Sequence, residues 1–231
     1  MIHVFYRHYN VQGSEEWRPK WFDYEKCLIN FLNTIESNDN IFFTVIYDGD
    51  DSENFIFKYN LNLIRISAKS DNESFRQTLE IIKNSNINEN DIVYLLENDY
   101  LHTPNWDSKV IEFFNSNDDA YLSLYDHGDK YMSGYDNLRS KIIVTNSCHF
   151  RTTPSTCGSF LCRMKTLIDD IKFHQEVPNF LYNITKTPVD HGKFLMLNFL
   201  KERSIYSSIP GLSTHCLNGL LSPTIKWENI I

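Results

Sequence analysis

The stretch DIVYLLENDYL, residues 91–101, joins a run of apolar side chains to a sudden polar cluster. Residues 93–96 are apolar or aromatic, and Glu97, Asn98 and Asp99 follow them directly. A short apolar run without polar alternation predicts a strand that is buried on both faces, as in a parallel sheet covered by helices. We therefore expect an interior strand that presents acidic residues at its carboxyl end.

The remainder of the first half alternates between strand and helix patterns. Apolar strands are predicted at 2–7, 41–48 and 61–67, and apolar residues at helical spacing predict helices within 16–37 and 70–84. Strands joined by helices indicate a parallel sheet with right-handed crossovers. The first half is thus predicted to be a doubly wound, Rossmann-like unit.

The second half has a more mixed pattern. Short strands of an antiparallel portion are predicted at 120–127, 141–147, 148–153 and 155–162. Two helices are predicted at 163–173 and 190–203, and a turn-rich tail at 204–227. The expected fold class is therefore α/β, a single domain over 1–231 with a mostly parallel central sheet flanked by helices and a small antiparallel portion in the second half.

Composition excludes several classes of function. The 231 residues carry a formal net charge of −8, which disfavours binding to nucleic acid. The five cysteines form no CxxC pair, so neither a disulfide framework nor a structural zinc site is indicated. The sequence shows neither a signal peptide nor an apolar stretch that approaches the length of a membrane span, and we expect a cytoplasmic location.

Polar residues follow three of the predicted strands. Arg7 ends the first strand, Asp48 and Asp50 end the second, and Glu97 and Asp99 end the later one. Ligands of such sheets bind beyond the carboxyl ends of the strands, so these side chains are expected to converge at one edge. Two carboxylates one residue apart favour a hard divalent cation, although acids at a helix N-terminus are an equally good explanation of the triplet alone.

Several blocks of the sequence together resemble glycosyltransferases of the GT-A fold. These blocks are VIYDGDDSEN at 45–54, the helix and strand ending in LLENDY at 95–100, YDHGDKY at 125–131, HFRTTPSTCGSF at 149–160 and PGLSTH at 210–215. The resemblance covers roughly the whole chain and is closest to a family 2-like subgroup in which the D-x-D motif has an E-x-D-Y form. Here Asn98 replaces the middle acid.

The resemblance implies a Mn²⁺ or Mg²⁺ cofactor and a nucleoside-diphosphate sugar donor, with UDP as the expected nucleotide. Asp99 and His215 would be metal ligands, and Glu97 and Asn98 would lie behind them at the donor. A carboxylate such as Asp48, or alternatively Asp50, would accept a hydrogen bond from the uracil imide. An ordinary Asp-Gly turn also explains Asp48.

Three further roles follow from the same resemblance. Arg7 and Arg76 would bind donor phosphates, where a bidentate guanidinium is effective, unless they form surface ion pairs. Asp190 would be the base that takes the proton of an acceptor hydroxyl in an inverting transfer. A plain N-cap role also suits Asp190, and Asp126 and Asp129 are competing bases or contacts for the acceptor.

The predicted function is therefore transfer of a sugar from a nucleotide sugar to a glycan or another hydroxyl acceptor. Residues 1–103 would form the nucleotide-sugar-binding half and residues 104–231 the acceptor-binding half. A sugar-1-phosphate nucleotidylyltransferase is an alternative, but the segment after the first strand, residues 8–20, contains a single glycine instead of a glycine-rich loop. A degenerate transferase that only binds glycans is the second alternative.

Overall fold

The structure of the protein is a computed structural model that describes residues 1–9, 15–36, 38–49, 53–185 and 190–231. At residues 15, 178, 179 and 181–185 it describes the backbone alone. Within these ranges, none of the helices is both long and apolar enough to cross a bilayer.

The first half has the predicted alternation of strands and helices. Its elements are β1 (Ile2–Tyr9), α1 (Tyr24–Ile35), β2 (Ile41–Asp48), β3 (Asn62–Ile66), α2 (Asp71–Lys83) and β4 (Ile92–Glu97). Helix α1 begins later than the sequence pattern suggests because the Asp23 carboxylate accepts a hydrogen bond from the backbone N–H of Lys26, 2.9 Å away, and so caps the helix there.

The described part of the second half adds shorter strands and three α-helices. Its elements are β5 (Tyr100–His102), α3 (Trp106–Phe114), β6 (Tyr121–Ser123), β7 (Ile142–Val144), β8 (His149–Thr152), β9 (Phe160–Arg163), α4 (Met164–Thr185), α5 (Asp190–Lys201), β10 (Ile205–Ile209) and β11 (Ser213–His215). The predicted turn-rich tail is wrong in part, because it contains β10, which lies inside the main sheet, and β11.

The strands form one large mixed sheet and one small ladder. The order in the large sheet is β3-β2-β1-β4-β9-β6-β10-β8-β7. Its first four strands are parallel, β6 and β10 are also parallel, and the other neighbours are antiparallel. The α/β fold class is confirmed, with the antiparallel strands in the second half as expected.

Strand β4 is the centre of the domain. All five residues from Ile92 to Leu96 are at most 3% exposed. Their side chains alternate between two apolar clusters: Tyr94 packs on one face of the sheet and Val93 and Leu95 pack on the other. Burying such a side chain contributes roughly 1.5–3 kcal/mol, so this strand is fixed from both sides and its polar end is held at one edge of the sheet.

Candidate active site at the strand ends

A cavity of about 610 Å³ lies beyond the carboxyl ends of β1, β2 and β4. In the parallel register, Arg7 of β1 is opposite Glu97 of β4, and Tyr9 of β1 is opposite Asp48 of β2. The lining includes six of the residues predicted for the site, which are Arg7, Asp48, Glu97, Asn98, Asp99 and His215. The expected convergence of strand ends is therefore present.

Asp99 and His215 are in direct contact although they are far apart in sequence. Asp99 follows β4 in a tight turn, and its backbone carbonyl accepts a hydrogen bond from Cys216 N at 2.9 Å. That bond extends the ladder in which His215 of β11 pairs with Tyr100 of β5. The His215 Nε2 atom lies 2.9 Å from Asp99 Oδ2, and its ring stacks on Tyr100 with centroids 5.1 Å apart.

Asp99 and His215 each stabilise the charged form of the other. Burial on its own lowers the pKa of His215, but the Asp99 carboxylate raises that pKa well above its usual value. Burial likewise raises the pKa of Asp99, but His215 and Arg18 hold that pKa below its ordinary value. The imidazole therefore donates its Nε2–H to an ionised carboxylate at neutral pH.

Arg18 is a site residue that the sequence analysis did not find. Its Nη2 donates to Asp99 Oδ2 at 2.7 Å, and its Nη1 donates to the carbonyl of Cys216 at 2.9 Å. The guanidinium also packs over the ring of Phe22, 4.7 Å from the centroid. The sequence feature that could have indicated it is a basic residue in the segment after β1, because that segment starts at the edge of the sheet where β1, β2 and β4 end.

Arg7 and Glu97 form a second charged group in the cavity. Arg7 donates to both the backbone carbonyl and the side chain of Asp71, and its Nη1 lies 3.4 Å from Glu97 Oε1. Burial raises the pKa of Glu97 to about 7, although Arg7 opposes that shift. The raised pKa of Glu97 makes its protonated form more accessible than that of an exposed glutamate, so this carboxyl group can donate as well as accept a hydrogen bond.

Asn98 is held by a hydrogen-bond chain that explains why it is an amide. Its Nδ2 donates to His8 Nδ1 at 3.0 Å, and His8 Nε2 in turn donates to Asn54 Oδ1 at 3.0 Å. Burial lowers the pKa of His8 to about 4, so the ring is neutral and needs a donor at Nδ1. An amide at position 98 supplies that donor, whereas a carboxylate does not.

The remaining predicted nucleotide contacts have different placements. Asp48 lies in the cavity wall, where its Oδ1 accepts a hydrogen bond from Ala68 N at 2.9 Å. Asp50 lies outside the described residues. Arg76 lies on an outward face of α2, where its Nε and Nη2 atoms bond to the Glu73 carboxylate at 2.8 and 2.6 Å, and it does not line the cavity.

Asp190 is the first residue of α5 and lines a second cavity of about 350 Å³. Its Oδ2 accepts the backbone N–H of Gly158 at 3.2 Å and its Oδ1 accepts from Lys193 Nζ at 3.1 Å. Burial raises the pKa of Asp190, but Lys193, the Gly158 N–H and Arg7 together outweigh burial and leave the pKa below its usual value. Asp190 is therefore an ionised carboxylate at neutral pH.

Gly158 separates the two cavities. A Cβ atom at this position would lie 2.1 Å from Glu97 Oε1, while the Gly158 N–H bonds to Asp190 on the other side. Cys157, the preceding residue, lines the second cavity and also contacts His215, which lines the first. The two cavities thus share the wall formed by residues 157–158.

The competing acids differ in their surroundings. Asp126 is 1% exposed and bonds to Arg151 Nη2 at 2.7 Å and to the Tyr131 hydroxyl at 2.6 Å, so it has a structural role here. Asp129 lines the second cavity and bonds to Lys130 Nζ at 2.8 Å. It faces the same space as Asp190.

The site offers two residues to a metal ion. Among the described residues, no set of three or more His, Cys, Asp and Glu side chains is arranged to hold one. The Asp99 Oδ1 atom, however, is buried and has no hydrogen-bond partner in the part of the chain that the structure covers. One carboxylate and one imidazole fit a divalent ion such as Mn²⁺ that takes its other ligands from a diphosphate and water.

Comparisons with known proteins agree with the fold. No family model and no curated protein matches the chain. A crystal structure of a Desulfovibrio desulfuricans G20 protein, provisionally named a nucleotide-diphospho-sugar transferase, matches 89% of this chain and 78% of its own length, with a TM-score of 0.53 and 8% identity. Residues 1–349 of S. aureus TarS match 89% of this chain with a TM-score of 0.50 and 15% identity, and the chain spans 59% of that fragment. The chain therefore has the GT-A-like α/β fold of these structures.

Proposed function

We propose that the protein is a metal-dependent glycosyltransferase that moves a sugar from a UDP-linked donor to an acceptor hydroxyl with inversion. The observation that carries this proposal is the contact between Asp99 and His215 in the cavity at the strand ends. Two polar residues 116 positions apart converge there, with a buried carboxylate oxygen left unpartnered among the described residues.

The first cavity is the proposed donor site. Asp48 in its wall would accept the hydrogen bond of the uracil imide, and Glu97, whose pKa is raised by burial, would bond to a ribose hydroxyl. Asp50 stays an alternative reader of the base. Arg7 would approach the phosphates, while a phosphate role for Arg76 requires its side chain to leave Glu73.

Asp99 and His215 would hold Mn²⁺ or Mg²⁺ at the donor diphosphate. A divalent ion bound there would stabilise the negative charge that develops on the departing nucleotide. His215 must lose its Nε2 proton to become a ligand, and Asp99 must share its Oδ2 atom or use Oδ1.

The second cavity is the proposed acceptor site. Asp190 would take the proton of the acceptor hydroxyl. As it does so, the hydroxyl oxygen would bond to the anomeric carbon of the donor sugar, and the bond between that carbon and the diphosphate would break. Lys193, 2% exposed and surrounded by Phe75, Phe160 and Phe194, keeps Asp190 ionised and orients it. Residues 1–103 would form the nucleotide-binding half and 104–231 the acceptor-binding half, with His215 reaching across to the donor.

The test is release of free nucleotide from a panel of nucleotide sugars in the presence of Mn²⁺. We expect turnover with a UDP-sugar and a loss of at least ~10²-fold in Asp99→Asn, with the exposed Asp119→Asn as the charge-matched control. Nucleotide binding without any release would instead favour a glycan-binding protein. Pyrophosphate formed from a nucleoside triphosphate and a sugar phosphate would indicate a nucleotidylyltransferase.

A further inference from the structure

Arg18 contacts both of the residues that are proposed to hold a metal ion. Its Nη2 lies 2.7 Å from Asp99 Oδ2 and its Nη1 lies 3.4 Å from His215 Nε2. One guanidinium thus contacts the Asp99 carboxylate and the ring nitrogen through which His215 would bind a divalent ion. Because an arginine side chain is always charged in a protein, this cation cannot be removed by deprotonation.

The contact differs from an ordinary surface ion pair. The Arg18 and Asp99 side chains are 15% and 11% exposed, whereas those of the Arg76–Glu73 pair are 42% and 36% exposed. Exposed pairs contribute little because water screens them, but a charge-assisted bond in a partly desolvated cavity is much stronger. The Phe22 ring under the guanidinium also restricts where Arg18 can go.

A metal ion and Arg18 compete for the same carboxylate. With Arg18 in place, the Oδ2 atom of Asp99 already accepts two hydrogen bonds, from Arg18 and from His215. A divalent ion bound to Asp99 would lie a few ångströms from the guanidinium, and like charges that close repel strongly in a low-dielectric site. A nucleotide diphosphate brings the negative charge that relieves this repulsion.

Two contacts of Arg18 do not depend on Asp99. The Nη1 bond to the Cys216 carbonyl and the packing on Phe22 remain available when Asp99 binds another partner. They would keep the guanidinium at the wall of the donor cavity, which Arg18 lines. From there it can meet a phosphate oxygen in the geometry that guanidinium groups favour.

We propose that Arg18 is a resident cation that blocks the Asp99–His215 pair against metal alone and gives way when metal and a nucleoside diphosphate bind together. This inference rests on the proposed function, because it takes that pair as the metal site. It makes metal and nucleotide binding mutually dependent: each should bind more tightly in the presence of the other.

The test is Mn²⁺ binding without nucleotide, measured from the electron paramagnetic resonance signal of free Mn²⁺. We expect Arg18→Gln to bind Mn²⁺ alone at least tenfold more tightly than wild type, about 1.4 kcal/mol. The gain in Mn²⁺ affinity on adding UDP should shrink by a similar factor. Arg139→Gln removes the same charge from an exposed position outside the donor cavity and should behave as wild type.

A second variant keeps the test decisive if Arg18→Gln is poorly folded. Arg18→Lys retains the charge but cannot contact both residues at once, so its Mn²⁺ affinity should lie between those of wild type and Arg18→Gln. If both Arg18 variants bind Mn²⁺ no more tightly than wild type does, while wild type still binds UDP together with Mn²⁺, the proposed role of Arg18 is wrong. The proposed function would not be affected by that result. Absence of UDP binding to every protein would overturn the proposed function as well.

Discussion

Gly158→Ala is the substitution that most directly probes the wall between the two cavities. The added Cβ would lie 2.1 Å from Glu97 Oε1 and 2.3 Å from Oε2. Non-bonded heavy atoms favour separations of about 3.5–4 Å, so the Glu97 carboxylate must move by more than about 1 Å. The atom that moves is the end of a flexible side chain, which places the cost near the low end of the ~1–3 kcal/mol typical of overpacking.

The displacement should damage activity more than stability. Glu97 would be pushed away from residue 158, which disturbs its contact with Arg7 in the donor cavity, while the residue 158 N–H bond to Asp190 is kept. A misplacement of about 1 Å at a reacting site can cost ~10²-fold in rate. We therefore expect turnover to fall by about ten- to a hundredfold, with a small decrease in the melting temperature.

The assay compares nucleotide release and thermal unfolding in Gly158→Ala and a matched control. Gly134→Ala is that control, because a Cβ at this position meets no atom of the described residues within 4 Å. The reasoning is refuted if both variants turn over donor at the wild-type rate. A large loss of stability in Gly158→Ala, with normal turnover per folded molecule, would equally contradict it.

Three other predictions concern the base, the amide and a buried histidine. Asp190→Asn should reduce transfer by at least ~10²-fold while UDP binding, measured by calorimetry, is unchanged; weakened UDP binding would argue against a role as base. Asn98→Asp removes the donor to His8 Nδ1, so the pKa of His8 should rise from about 4 in an NMR titration, and an unchanged pKa would disprove that hydrogen bond. His102 is buried and its pKa is lowered to about 3, so the stability that its neutral form provides is complete above about pH 6.5 and decreases as the pH falls. His102 should account for about 1 kcal/mol of the unfolding free energy lost between pH 6.5 and 5.5 in urea titrations, so the loss should be smaller by that amount in His102→Gln, and equal losses in the two proteins would contradict the assignment.

The strand ends could be predicted from the sequence because local patterns determine them. The apolar run of β4 is continuous, and its polar end follows at once, so the position of Glu97 and Asp99 at the sheet edge required no long-range information. Arg76 shows that residue type alone does not predict whether a side chain faces the site. Its neighbours Phe75 and Leu79 are buried, and their helical spacing turns Arg76 outward to Glu73.

The features that sequence reasoning missed depend on distant contacts. Strand β10 contains two consecutive serines, and the buried Ser208 hydroxyl donates to the carbonyl of Leu124, which is 84 residues away. Arg18 is separated by 81 positions from Asp99 and by 198 from Cys216. Nothing local distinguishes such a loop arginine from a solvated one.

Calorimetric titration of UDP with and without Mn²⁺, on wild type and on Asp99→Ala, tests the central claim most directly. The claim is that the residues beyond β4 bind a nucleoside diphosphate through a divalent ion. We expect wild type to bind UDP much more tightly with Mn²⁺ than without it, and Asp99→Ala to lose that dependence. The account would be contradicted if the affinity of wild type for UDP were the same with and without Mn²⁺. It would also be contradicted if Asp99→Ala bound UDP with the same dependence on Mn²⁺ as wild type.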